Sequence, residues 1–200
     1  MAARLTLPRA GRRLLPLFAI AATVASTSSC GGGQGAAAPK DPPLAKYANS
    51  FLVFRHPAAW KAYPFRWSGE LHFQPMVYLS TQPVHDPCTT NGNATMCSWP
   101  VRRLQPDGVL IAWENRGFPG WELRTQPGTS MRIGGRPAKR VTTAGGACRA
   151  IGGDRTTEVV IASPQKDNWT EVTACVRGPH LAANEHRLNA LLASTRFLAS

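Results

Sequence analysis

The residues of this chain that could carry chemistry are few and scattered: five cysteines, eleven carboxylates and five histidines. Beyond Cys30 the sequence carries four more, Cys88, Cys97, Cys148 and Cys175. No Cys-x-x-Cys or His-x-x-x-His pair accompanies them, so the spacing argues against zinc and no metal ligand is assigned. An even number of cysteines outside the cytoplasm reads instead as two disulfides. Three connectivities are open. Cys88–Cys97 with Cys148–Cys175 is preferred, because the first pair brackets a polar loop with an Asn91-Gly92 turn signal and the second adjoins strand-like segments. Any two of Glu70, Asp86, Asp107, Glu114, Glu122, Asp154, Glu158, Asp167, Glu171 and Glu185 could serve as acid and base, and spacing nominates none. His56, before a proline at a strand end, reads as structural. His72 and His85, the latter beside Asp86, read as solvated loop residues, and His180 and His186 as surface groups at a helix start. The nucleophile elbow, HExxH, Walker A and GxGxxG patterns are all absent. The sequence therefore predicts no catalytic residue and no cofactor.

Trp60, Tyr63, Phe65 and Trp67 are interleaved with Lys61 and Arg66. Aromatic faces beside cations could stack and neutralise an anionic or sugar-like ligand, so these four residues form a candidate ligand patch. The competing reading makes them the core face of a strand. Arg132, Arg136, Lys139 and Arg140 place four cations within nine residues without an acid. Such a group either guards a sheet edge or rests against anionic lipid or wall polymer.

Residues 1–13 hold Arg4, Arg9, Arg12 and Arg13 and no acid, and Leu14 to Ala25 is apolar but too short to span a bilayer. Ser28-Ser29-Cys30 follows. The segment resembles a bacterial lipoprotein signal peptide, whose final Cys is lipidated and becomes the new N-terminus. Thr27 stands where such signals usually carry Leu, Val or Ile. The alternative is an ordinary secretory signal, and Arg12-Arg13 leaves twin-arginine export open beside the general route. The resemblance implies lipidation of Cys30 and a place on the extracytoplasmic face of the cell membrane. Two or more acyl chains hold a protein there where one would not. Residues 31–44, rich in Gly, Ala and Pro, read as a flexible stalk, and a single domain is expected over 45–200.

The whole chain carries +12, which invites a nucleic-acid reading. Removing the four leader arginines lowers the side-chain net to +8, spread along an exported chain. Nucleic acid is therefore not an expected partner.

Ser50 to Arg55, Tyr63 to Trp67, Met76 to Ser80, Val109 to Trp113, Trp121 to Arg124, Met131 to Ile133, Pro137 to Thr142, Glu158 to Ala162 and Trp169 to Val176 read as strands. Pro64 confines its segment to an edge. Gly134-Gly135 predicts a two-residue hairpin turn. Thr170, Val172, Ala174 and Val176 share one face of the last strand, with Trp169, Glu171, Thr173 and Cys175 on the other. Leu181, Leu188, Leu191 and Leu192 predict one amphipathic helix with Asn184 as its N-cap, and a short helix is expected near Ala58–Lys61. The fold class is α+β: a mostly antiparallel, disulfide-stapled sheet covered by the C-terminal helix.

Phe54-Arg55-His56-Pro57-Ala58-Ala59-Trp60 and Gly134-Gly135-Arg136-Pro137-Ala138 resemble the "F-x-x-P-x-x-W" opening and "GG-x-PA" hairpin of Mog1/PsbP-like α/β sandwich domains, found in exported actinobacterial lipoproteins. The closing helix through Phe197 is similar as well. That family implies a binding or accessory role and supplies no catalytic residues; the paired cysteines depart from its general pattern. The expected function is a membrane-anchored, non-catalytic module whose partner is an anionic envelope polymer or another envelope protein. A small secreted hydrolase is the alternative.

Overall fold

A computed structural model describes residues 42–65, 73–92 and 94–198. Cys30, the leader and nearly all of the stalk lie outside the described residues, as do Arg66, Trp67, Glu70 and His72. In chain order the strands are β1 (Leu44–Ala48), β2 (Leu52–Pro57), β3 (Lys61–Pro64), β4 (Phe73–Ser80), β5 (Cys88–Asn91), β6 (Ala94–Cys97), β7 (Val109–Gly117), β8 (Thr129–Ile133), β9 (Arg136–Ala144), β10 (Arg155–Ala162) and β11 (Asn168–Val176). Helix α1 (Leu181–Ser194) and the short β12 (Arg196–Phe197) close the chain. Seven strands form one antiparallel sheet in the order β3-β4-β7-β11-β10-β9-β8. A second sheet, β1-β2-β12, and the hairpin β5-β6 stand apart from it.

The large sheet has a core on each face. Val109, Ile111 and Trp113 of β7 and Val172, Ala174 and Val176 of β11 point to one side, where they meet Leu188, Leu191 and Leu192 of α1 and Leu52 and Phe54 of β2. Phe54 stacks on Trp113 with centroids 5.2 Å apart. On the other side Leu110, Ala112 and Cys175 meet Leu104, Cys148 and Ile151. The apolar first half of β7 is thus buried on both faces, as its unbroken Val-Leu-Ile-Ala-Trp run requires. Pro64 sits on the edge strand β3, and both glycines of the Gly134-Gly135 turn have positive φ (55° and 83°), as a type I′ hairpin demands.

Both disulfides join the preferred partners. Cys88–Cys97 cross-links β5 to β6 at directly opposed positions, and Cys148–Cys175 ties a 3₁₀ turn (Gly146–Ile151) to β11. Four expectations are corrected. The segment between Cys88 and Cys97 pairs with itself as a hairpin instead of remaining a loop. Ala58 to Trp60 is a turn closed by Trp60 N–H to the Pro57 carbonyl (2.9 Å), and Lys61 already begins β3, so no helix forms there. Leu123–Thr125 is a 3₁₀ turn, not part of a strand. Helix α1 begins at Leu181, so Asn184 lies inside it, buried; its amide reaches the Asp107 carboxylate (3.4 Å), which also accepts the His180 N–H (3.2 Å). A carboxylate from a distant turn therefore caps the helix, something local sequence does not display.

Candidate functional site

The sheet face opposite α1 is only partly roofed. Where the roof ends, β7 turns polar: Glu114 and Arg116 follow Leu110 and Ala112 on that same face. Glu171 and Thr173 continue the pattern on β11, and Glu158 does so on β10. The result is a trough of about 420 Å³ with Tyr78, Glu114, Arg116, Glu158, Glu171 and Thr173 lining it. Cys97 at the end of β6 and Ser98 and Trp99 after it form one wall, and Ala147 of the 3₁₀ turn contributes to another. Each disulfide therefore fixes a rim: one braces the β5-β6 hairpin, the other pins the turn that carries Ala147 to the strand that carries Glu171.

Glu114 and Glu171 are directly opposed across β7 and β11. Like charges at such a position repel. Arg116 offsets the repulsion, with Nη2 2.7 Å from Glu114 Oε2 and Nε 3.0 Å from Glu171 Oε2. Trp169 Nε1 donates to the same Glu171 oxygen (3.3 Å), and Trp121 stacks on Trp169 at 4.6 Å. Burial pushes the Glu114 carboxyl above its ordinary range; the Arg116 charge and hydrogen bond pull it down, and Glu171 pushes it up further. Burial also raises the Tyr78 phenol, with the charges of Glu114 and Asp86 adding to it, so Tyr78 stays a hydrogen-bond donor. Glu158 makes no ion pair among the described residues. Three carboxylates against one guanidinium leave the trough acidic in a chain of charge +12. Such a surface accepts hydrogen bonds from ammonium, guanidinium or hydroxyl groups.

The other sequence candidates are placed elsewhere. Trp60 is 2 % exposed in the core beneath α1, whereas Tyr63 and Phe65 pack on the opposite face. The described members of the aromatic patch thus do not share a surface, because strand alternation sends residues 60 and 62 one way and 63 and 65 the other. Trp67 falls outside the described residues. The cation group on β8 and β9 is likewise divided. Arg136 lies over the Phe197 ring (3.9 Å), Lys139 Nζ donates to the Arg124 carbonyl (3.1 Å), Arg140 donates to Asn189, and Arg132 to the Gly135 carbonyl. His56 is buried and its Nδ1 donates to the Pro57 carbonyl (2.9 Å), a structural role. His85 is exposed, and no group of three metal-ligating side chains forms among the described residues.

The trough was readable only in fragments. Alternation in β11 put Glu171, Thr173 and Cys175 on one face, but their meeting with Glu114 depends on the β7–β11 register. No protein-family model matches the chain, and no curated protein is similar to it.

Proposed function

We propose that this chain is an exported lipoprotein, anchored through acylated Cys30 to the extracytoplasmic face of the cell membrane. Its domain, a Mog1/PsbP-like sandwich, acts as a non-catalytic binding or accessory module. Two disulfides support an oxidising compartment. The observation that carries the binding role is the Glu114–Arg116–Glu171 arrangement on the floor of a disulfide-rimmed trough. Its charges are held by one another, which orients hydrogen-bond acceptors toward a ligand. The class that fits is a cationic or hydroxyl-rich group presented by an envelope component.

Labelling cells with a fatty-acid analogue tests the anchor: Cys30→Ala abolishes labelling and membrane retention, and unchanged labelling refutes it. Thermal-shift measurements with spermidine and with soluble glycans test the trough. Stabilisation by either that is lost in Glu114→Gln and Glu171→Gln supports it; stabilisation indifferent to both substitutions places the site elsewhere. The raised carboxyl of Glu114 beside Glu171 favours one second reading, a small hydrolase with this pair as acid and base. Turnover of ester, glycoside or peptide substrates that disappears in Glu114→Gln would establish it in place of the first.

A further inference from the structure

The small sheet β1-β2-β12 lies over the core with one face inward, through Tyr47, Leu52 and Phe54. Its outward face is set by the same alternation. Lys46 on β1 is directly opposed to Arg55 on β2, and Arg196 on β12 is opposed to Val53, two residues from Arg55. All three cations are exposed, and with Val53, Ala193 and Ser194 they line one shallow depression of about 480 Å³. No ion pair holds any of them among the described residues. Leu44 and Leu198, 59 % and 41 % exposed, flank the group. Leu44 also opens β1, where the stalk segment joins the domain.

We infer that this outward face docks the domain onto anionic phospholipid headgroups. The partner follows from charge complementarity: three unpaired cations, no acid among them, and two exposed leucines at the margin match a phosphate surface with an apolar layer beneath. The inference rests on the proposed anchor, which would hold this face near the bilayer and raise its local concentration there. Each cation near an anionic leaflet is worth roughly five-fold in partition, so the three together contribute on the order of 100-fold. Added salt weakens the attraction, because the screening length is about 10 Å at 0.1 M. Docking in this orientation leaves the trough, on the far face of the large sheet, open to the exterior.

The test uses the exported chain from residue 30 onward, carrying Cys30→Ser so that no acyl chain contributes. Its partition onto phosphatidylglycerol–phosphatidylcholine vesicles is compared with that onto phosphatidylcholine alone, at low and at physiological salt. The expected result is binding to the anionic vesicles that falls about 100-fold in the Lys46→Gln/Arg55→Gln/Arg196→Gln variant. A charge-matched variant, Arg102→Gln/Arg103→Gln/Lys166→Gln, should bind like the parent. Equal loss in both variants means net charge alone is responsible and overturns the inference, as does unchanged binding in the first. Capture of soluble polyphosphate through the same three residues without vesicle binding assigns the face to a polymer and overturns it too. Far-UV circular dichroism and the unfolding midpoint of each variant separate loss of fold from loss of docking. Failure of the anchor shows instead in the Cys30→Ala labelling experiment, which this vesicle measurement does not touch.

Discussion

Glu114 and Glu171 face one another across two central strands, and a single guanidinium, Arg116, bonds to both. The side chains of all three are partly screened, at 14 %, 20 % and 34 % exposure, so their mutual attraction exceeds that of a surface pair without reaching that of a dry interior.

Replacing Arg116 by Gln leaves two opposed carboxylates uncompensated. The expected cost is about 1–3 kcal/mol in urea unfolding at pH 7. The double variant Arg116→Gln/Glu114→Gln should recover most of it, and the double-mutant cycle should show a coupling well above the error for independent sites.

Glu114 also gives the domain a distinctive pH response. Its carboxyl ionises above the ordinary range when folded, so the folded state takes up a proton more readily than the unfolded chain. The charged form therefore lowers stability at neutral pH, and that cost fades as pH falls through the raised folded value toward the ordinary one. Glu114→Gln is expected to be more stable than the parent at pH 7, by up to about 1 kcal/mol, and to lose that advantage by pH 4. Urea midpoints at both pH values check it.

Asp107 responds in the opposite sense. The hydrogen bond from His180 holds its carboxyl below the ordinary value, so its stabilisation is complete above the usual carboxylate range and is lost as pH falls through the depressed value. Because the pair is largely exposed, Asp107→Asn should cost no more than about 1 kcal/mol at pH 7. The variant's stability curve should converge on the parent's below about pH 4, read by helical circular dichroism.

The two disulfides should differ in weight. Opening Cys148–Cys175, which spans 27 residues, releases more chain entropy than opening Cys88–Cys97, which spans 9. A Cys148→Ser/Cys175→Ser variant is expected to lose about 3–4 kcal/mol and to loosen the trough wall, lowering any trough ligand's affinity as well. The Cys88→Ser/Cys97→Ser variant should unfold closer to the parent's midpoint.

Much of the architecture was legible where local pattern and tertiary context agree. Period-two alternation located β10 and β11 and sorted the faces of β11 correctly, and the leucine spacing located α1. The polar half of β7, from Glu114 to Gly117, escaped notice because a strand bordering a hydrophilic trough looks like a loop from sequence. Asn184 looks like an N-cap from sequence alone, but Asp107, 73 residues from His180, accepts the backbone N–H at the helix start. The candidate site was least legible. Glu114, Glu158 and Glu171 belong to three strands, and Lys46, Arg55 and Arg196 to three others; only pairing register brings either group together.

The hairpin from Cys88 to Cys97 is closed on itself by a covalent bond at its base, and Thr89, Thr90, Asn91 and Met96 project from it into solvent. A fluorophore or affinity peptide grafted at Asn91-Gly92 would ride on the margin of the trough without disturbing the core, turning that appendage into a handle for reporting occupancy.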